Sequence, residues 1–202
     1  RIRTMNDLVK DYSVKKKDIL QRLKEFSKVP FEDYFVELCY CLCTPLSNAQ
    51  RVFKIINNEN KEFLLNSSVE ELAEFLKGHA RFHNNKAVYI YNARNKKELL
   101  LDLPKNNVKA RNLLVKEFKG LGLKEASHFL RNIGYRNIGI IDGHIINSLE
   151  EFEITNHRSR PSNEIQYELM EKYMQEFAKK VNIDMDELDL LLWARKTGVI
   201  LK

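Results

Sequence analysis

The sequence predicts an all-α protein, and three features of the chain carry that prediction. Glycine and proline are scarce, with 7 and 4 residues among 202, while good helix formers such as Leu, Lys and Glu are abundant. Apolar residues recur at helical spacing, and most periodic stretches have recognisable start or stop residues. The sequence lacks the alternating pattern of a half-buried strand, apart from the brief apolar run at 138–141.

Prolines bound the first two predicted helices. Ser13 is predicted to cap a helix whose apolar residues recur at helical spacing, and Pro30 follows the end of that helix. The range 31–43 repeats the apolar pattern until Pro45 breaks it.

Two capping-box sequences predict the next helix starts. Ser47-Asn-Ala-Gln50 is expected to open one helix, and Ser68-Val-Glu-Glu71 another that closes at Lys77-Gly78. The later predicted helices span 85–94, 107–118, 124–133, 142–152, 162–181 and 184–197, the last capped by Asp184, boxed by Glu187 and followed by Gly198.

The cysteines and the net charge constrain the class of protein. Cys39, Cys41 and Cys43 share one predicted helix, and no further cysteine follows, so we expect a buried helix rather than a metal site or an iron-sulfur cluster. We therefore predict no metal, no cofactor and a reducing cytosolic compartment. The net charge of +6 is compatible with an anionic partner, although many basic proteins bind no nucleic acid. No stretch is long and apolar enough to span a membrane, and none resembles a signal peptide.

The most informative segment runs from Phe118 to Gly134. Gly120 and Gly122 flank one apolar residue, and a helix carrying Lys124 follows at once, so the backbone N–H groups of a tight hairpin are expected to hold a phosphate. A simple turn between two helices is the alternative interpretation. Asp142 comes eighteen residues after Lys124, at the end of an apolar run and at the predicted start of a helix.

This combination of hairpin, lysine and distant aspartate resembles the helix-hairpin-helix-GPD superfamily of DNA glycosylases. The range 124–134 resembles, within it, the second, mainly archaeal family of 8-oxoguanine DNA glycosylase/lyases. Further similar stretches are 37–41, 78–82 with 86–89, 187–190 with Trp193, and 197–198. The resemblance implies a two-lobed helical fold with an active-site cleft between the lobes. We place one helical domain at 30–135, ending in the hairpin, and a second lobe at 1–29 plus 136–202.

The resemblance also implies a chemistry. Lys124 is the expected nucleophile, whose amine attacks the sugar C1′ and forms a Schiff base that permits β-elimination. Asp142 is the expected carboxylate that stabilises positive charge on the sugar. The amine must be neutral to attack, and a lysine with a pKa of about 10.4 is neutral in about one molecule in 2,500 at pH 7. We expect burial to favour the neutral form. The alternative is that Lys124 is a solvated lysine and Asp142 only a helix cap.

A flipped base requires a pocket with aromatic faces. The resemblance assigns Phe82 and Trp193 to a base sandwich, with core packing as the alternative for each. A hydrogen-bond acceptor must distinguish 8-oxoguanine from guanine at N7, and the two hypotheses are Asp189 and the C-terminal carboxylate of Lys202.

The remaining predicted contacts are to DNA. The expected DNA-binding residues are Gly120, Gly122, Asn48, Gln50, Lys119 and His144. Ordinary capping explains Gln50 equally well, and His144, like His128, could be a structural histidine. Arg131 and Arg136 are further candidates for phosphate contacts, although surface solvation is the default for any one cation.

The sequence departs from the family pattern at two places. Gly143 stands where close members usually carry Arg or Lys, and Thr44-Pro45-Leu46 stands where many read Thr-Ala-Asn. The first departure removes an expected DNA or intramolecular contact. The second alters the loop before the Ser47 helix.

The resulting prediction is a bifunctional DNA glycosylase/AP lyase that excises 8-oxoguanine in base excision repair. One alternative is an endonuclease III-like glycosylase acting on oxidised pyrimidines, and another is a non-catalytic helix-hairpin-helix DNA-binding module. The expected partner is double-stranded DNA with an oxidised base and not a membrane. We expect a monomer in the cytoplasm of a prokaryotic cell, associated with the nucleoid.

Overall fold

The computed structural model describes residues 4–202, which form eleven α-helices and three 3₁₀ helices and contain no β-strand. The α-helices are α1 (Met5–Phe26), α2 (Tyr34–Cys43), α3 (Ala49–Ile55), α4 (Lys61–Asn66), α5 (Val69–Leu76), α6 (His83–Ala93), α7 (Asn107–Glu117), α8 (Leu123–Asn132), α9 (Gly143–Glu151), α10 (Glu164–Val181) and α11 (Met185–Thr197). The 3₁₀ helices are Phe31–Asp33, Asn58–Asn60 and Arg94–Leu101. The predicted all-α class is confirmed.

The chain forms two compact units. The central unit is Val29–Ile133, and the terminal unit combines Arg1–Lys28 with Gly134–Lys202. In the central unit α2 packs against α6 and α8, α5 against α6, and α7 against α8. In the terminal unit α11 packs against α1, α9 and α10.

Helix α2 lies in the core of the central unit. Every residue of α2 after Tyr34 is buried, including the three cysteines, which are free thiols. This burial confirms the prediction of a buried helix. Burial also raises the pKa of the Cys43 thiol to about 12, because a thiolate would lose its hydration there.

Two predicted helix starts are wrong. The first helix begins at Met5, where Thr4 and Asp7 form a capping box, and Ser13 lies inside α1. The third begins at Ala49, because the side chain of Asn48 caps it in place of Ser47, accepting from Arg51 N at 3.0 Å.

The predicted start of α11 at Asp184 is correct, because Asp184 is the N-cap residue of this helix. The side chain of Asp184 makes no capping bond at this helix, and the predicted box does not form. The carboxylate of Glu187 instead accepts a hydrogen bond from the Tyr12 hydroxyl of α1.

The capping box at Ser68 is confirmed. Ser68 Oγ accepts from Glu71 N at 3.1 Å, and the Glu71 carboxylate accepts from Ser68 N at 2.8 Å. The sequence pattern missed α4, which is six residues long. Within residues 4–202, no helix combines the length and apolar character needed to cross a bilayer.

Candidate active site

The predicted site residues divide between the two units. The central unit carries Lys124, Gly120, Gly122, Lys119, Asn48, Gln50 and Phe82. The terminal unit carries Asp142, His144, Asp189, Trp193 and Lys202. Each group is therefore built on its own set of helices.

The hairpin between α7 and α8 requires glycine at position 120. Gly120 has φ +95°, in the left-handed region that favours glycine. A Cβ atom there would lie 2.4 Å from Cδ2 of Tyr89, whose ring on α6 packs against the hairpin. The predicted tight hairpin is thus present, and α8 starts directly after it.

Glu125 joins the hairpin to Lys124. One carboxylate oxygen, Oε2, accepts from Gly122 N at 3.1 Å, and the other, Oε1, lies 3.4 Å from Lys124 Nζ. The N–H of Gly122 is therefore bonded within the protein, and a phosphate at that N–H would have to replace Glu125. The side chain of Lys124 is 26% exposed and is therefore partly buried.

A second lysine near Lys124 was missed in the sequence. Lys86 of α6 is buried, and its ammonium donates to Cys43 O at 2.8 Å, Pro45 O at 2.7 Å and Ser47 Oγ at 2.9 Å. Burial lowers the pKa of Lys86, and repulsion from the charge of Lys124 adds to that lowering. The indication in the sequence for Lys86 is its position in 86–89, one of the stretches that resemble the family.

Ser47 links two loops of the central unit. Its hydroxyl accepts from Arg81 N at 2.8 Å as well as from Lys86. One loop carries Leu46 (φ +56°) and the other carries Phe82 (φ +58°). Both residues have a left-handed backbone conformation, and both are exposed. Core packing is therefore wrong for Phe82, which is 52% exposed and has the Arg81 guanidinium 5.0 Å from its ring centroid.

The other polar candidates of the central unit differ in exposure. Asn48, Gln50 and Lys119 are exposed. Arg131 is buried and donates from Nε to Asn132 Oδ1 at 3.0 Å, so its expected phosphate contact is wrong. His128 is also buried, with its ring edge-on to Tyr40 at 5.8 Å, which favours the structural interpretation.

Asp142 caps α9, as the sequence predicts. Its Oδ1 accepts from Ile145 N at 2.9 Å, which fixes the orientation of the carboxylate. The preceding segment is held by α10, because the Tyr167 hydroxyl donates to Gly139 O at 2.7 Å and accepts from Ile141 N at 3.1 Å. These two bonds replace the strand pairing that such a segment would otherwise need.

His144 and Trp193 meet in the terminal unit. Their rings are edge-to-face, with centroids 5.0 Å apart. The buried indole N–H of Trp193 has no hydrogen-bond partner among residues 4–202. Asp189 is buried on α11 one turn before Trp193, and Lys202 is half-buried. Arg136 donates to Leu23 O at 2.9 Å, so its guanidinium has an intramolecular partner.

The space beside Gly143 is occupied by a side chain from a later part of the chain. A Cβ atom there would lie 3.3 Å from Nη2 of Arg160, so the guanidinium of Arg160 occupies the volume beside Gly143. A cation thus lies next to the first residue of α9, although the sequence has none at position 143.

Each unit carries one of the two groups that the sequence predicts to be reactive. The central unit presents a primary amine at the start of a helix, and the terminal unit presents a carboxylate oriented by a helix N-terminus. An amine of this kind can add to an electrophilic carbon, and an oriented carboxylate can stabilise developing positive charge. No group of three or more His, Cys, Asp or Glu residues suited to a metal ion occurs in the part of the chain that the structure describes.

The chain is similar to proteins of one family over nearly its whole length. A family model described as 8-oxoguanine DNA glycosylase matches residues 19–183. The chain is 37% identical over 212 residues to an 8-oxoguanine DNA glycosylase/AP lyase of Fusobacterium nucleatum, covering 98% of this chain and 97% of that protein. A protein of the same name from Methanocaldococcus jannaschii is 36% identical, with 98% and 95% covered.

Solved structures agree with these sequence matches. The M. jannaschii 8-oxoguanine glycosylase/lyase, in complex with a 15mer DNA containing 8-oxoguanine, has a TM-score of 0.87 and 35% identity, with 96% of this chain and 99% of that chain covered. The 8-oxoguanine DNA glycosylase of Thermotoga maritima has a TM-score of 0.90 and 28% identity, with 98% of each chain covered.

Proposed function

The chain belongs to the 8-oxoguanine DNA glycosylase family, and from that membership we propose that it excises 8-oxoguanine from DNA and cleaves the resulting abasic site as an AP lyase. The observation that carries this proposal is the position of Lys124, a partly buried amine in the first turn of α8, directly after the hairpin at Gly120. A DNA-binding module needs such a hairpin but has no use for this amine.

In the proposed reaction Lys124 is the nucleophile. Its neutral amine forms a bond to C1′ of the damaged nucleotide while the C1′–N9 bond breaks and the base leaves. One amine proton passes to the departing base and the other to O4′ as the sugar ring opens, which gives the Schiff base. Removal of a C2′ proton then expels the 3′ phosphate and nicks the strand.

Asp142 is proposed to stabilise the positive charge that develops on the sugar as the base departs. Its bond from Ile145 N at the N-terminus of α9 holds the carboxylate in one orientation. The tether from Tyr167 to the segment before Asp142 supports this role by fixing the backbone.

Base recognition is proposed to use the aromatic and acidic residues predicted from the resemblance. Phe82 is exposed and available for stacking, and Trp193 is held edge-on by His144. Asp189 or a carboxylate at Lys202 would accept the N7 hydrogen that 8-oxoguanine has and guanine lacks. The Asp189→Asn variant tests the first of these. If this variant no longer prefers 8-oxoguanine to guanine, Asp189 is the acceptor.

The proposed substrate is duplex DNA containing an oxidised base, bound by a monomer in the cytoplasm at the nucleoid. The structure of the M. jannaschii relative in complex with DNA containing 8-oxoguanine supports this substrate. The net charge of +6 favours binding to a polyanion. Asn48, Gln50, Lys119, the hairpin glycines and His144 are proposed contacts to the strand. The three free cysteines agree with a reducing compartment.

A single-turnover assay with two lesions tests the proposal. Duplexes carry either 8-oxoguanine or thymine glycol at the same position, and base release is measured separately from strand cleavage. Preferential release of 8-oxoguanine is the expected result. Release of thymine glycol alone would replace the substrate with an oxidised pyrimidine, and binding without any release would favour the non-catalytic module.

A further inference from the structure

We propose that Arg160 binds a backbone phosphate of the damaged strand, next to the nucleotide whose sugar faces Asp142. This inference rests on the proposed function, since it adds a contact to the DNA on which Asp142 acts. Arg160 lies in the segment 152–163, which connects α9 to α10 and contains none of the site residues predicted from the sequence.

The first observation is the position of the Arg160 guanidinium. A Cβ atom on Gly143 would lie 3.3 Å from Nη2 of Arg160, so the guanidinium lies against the first residue of α9. Gly143 directly follows Asp142 in the chain. Because every sugar of a DNA strand is joined to a phosphate on each side, a cation next to the residue that faces the sugar lies near the strand backbone.

The second observation is the absence of a counter-charge. Within residues 4–202, no hydrogen bond or ion pair joins the exposed side chain of Arg160 to another residue. The N-terminus of α9 is the positive end of the helix dipole and therefore repels a cation. An anion at this position would be attracted by the helix N-terminus and by the guanidinium at once. The arrangement therefore favours an anionic ligand over a solvated arginine.

The third observation is that the loop is attached to helices on both sides of Arg160. Before it, Arg158 forms an ion pair with Glu150 of α9. After it, Ser162 N donates to Oε1 of Gln166 in α10 at 2.9 Å. A side chain on a loop that is held at both ends loses less conformational entropy when it binds a ligand.

Arg158 provides a comparison within the same loop. Its side chain is 77% exposed, and its charge is compensated by Glu150. Arg160 carries the same charge two residues later, and no carboxylate compensates it in the part of the chain that the structure describes. We therefore expect phosphate binding from Arg160 and not from Arg158.

A phosphate contact has two properties that distinguish it from other contacts to DNA. A guanidinium donates two parallel hydrogen bonds to phosphate oxygens, whereas a lysine ammonium acts as a single point charge. A phosphate also carries no base identity. Loss of the contact should therefore weaken binding equally whichever base stands opposite the lesion.

The first test measures the dissociation constant of duplexes with 8-oxoguanine opposite cytosine or adenine over a range of salt concentrations. Lys124→Gln is the background, so that the DNA stays intact. Arg160→Ala should weaken binding about tenfold opposite either base. It should also reduce the slope of log K against log salt by about 1. Arg160→Lys should keep most of the slope but only part of the affinity. Arg158→Ala, the matched control, should change the affinity less than about twofold.

A second test locates the phosphate. Each phosphate that flanks the lesion is replaced in turn by an uncharged methylphosphonate. At the phosphate that Arg160 contacts, this change should cost the protein with Arg160 about as much affinity as Arg160→Ala does. The Arg160→Ala protein should lose little more there, because the contact is already absent.

Two results would overturn the phosphate contact. One is an Arg160→Ala protein whose affinity and salt slope equal those of Arg158→Ala, and the other is additive losses at every flanking phosphate. The proposed function fails in a different way. A wild-type protein that releases no 8-oxoguanine refutes base excision, and a salt slope that still depends on Arg160 retains the phosphate contact.

Discussion

Tyr89 packs so closely against Gly120 that a Cβ atom on the glycine would lie 2.4 Å from Cδ2 of the ring. Gly120 also has φ +95°, so the hairpin before Lys124 needs glycine for two independent reasons. The contact fixes the hairpin to α6, the helix that also carries Lys86.

Gly120→Ala should therefore destabilise the protein by about 2–4 kcal/mol, since a steric clash adds to the backbone cost. The matched control is Gly78→Ala, because Gly78 has φ +79° and nothing within 4 Å of its added Cβ. That variant should lose only about 1 kcal/mol. Urea denaturation measures both, and equal losses would show that Tyr89 does not constrain the hairpin.

Tyr167→Phe should destabilise the terminal unit and slow base release. The hydroxyl bonds to Gly139 O and Ile141 N would be lost in a buried site, at a cost of about 1–3 kcal/mol. Tyr173→Phe is the control, since Tyr173 lies on the same helix but is not buried. Thermal unfolding and single-turnover release are compared, and a Tyr167→Phe enzyme with wild-type rates would show that this tether does not position Asp142.

The Asp142→Asn substitution retains a helix-capping side chain but removes the negative charge. Asparagine also accepts from a backbone N–H at a helix start, so stability should change by less than about 0.5 kcal/mol. Loss of the carboxylate should slow base release about 100- to 1,000-fold. Cleavage of a preformed abasic site should suffer less, because the base has already left. Equal losses in the two assays would contradict the assignment of Asp142 to base departure.

The buried thiol of Cys43 gives a pH dependence of stability. Its pKa of about 12 in the folded protein exceeds its ordinary value of 9.0, so between these values the folded state retains a proton that the unfolded state has lost. This group therefore lowers the free energy of unfolding as pH rises through that window, by up to about 1.4 kcal/mol per pH unit. Urea midpoints at pH 8 and pH 10 should fall less in Cys43→Ala than in wild type, and an identical fall would contradict the burial of an un-ionised thiol.

Local sequence predicted the elements that local chemistry determines. The start of α9 at Asp142 and the box of Ser68 with Glu71 are correct, because these side chains bond to their own helices. Ser47 and Glu187 failed as caps because each has a distant partner, Lys86 for one and Tyr12 for the other. Such partners lie 39 and 175 residues away, beyond what a short pattern can show.

The same limit applies to the site. Lys124 was identified by the hairpin before it and by the family resemblance. Its neighbour Lys86 was not identified, because its role depends on burial and on carbonyl groups from another helix end. The left-handed backbone of Leu46 was likewise not predicted, because only the three-dimensional structure shows it.

The central claim, that Lys124 forms a Schiff base with damaged DNA, is tested most directly by borohydride trapping on a duplex with 8-oxoguanine opposite cytosine. Wild type is compared with Lys124→Gln and with Lys116→Gln, an exposed lysine of α7. The predicted result is a covalent protein–DNA adduct and a nicked strand in wild type and Lys116→Gln, with both absent in Lys124→Gln. An adduct that persists in Lys124→Gln, or none in a wild type that releases the base, would contradict the assignment of the nucleophile.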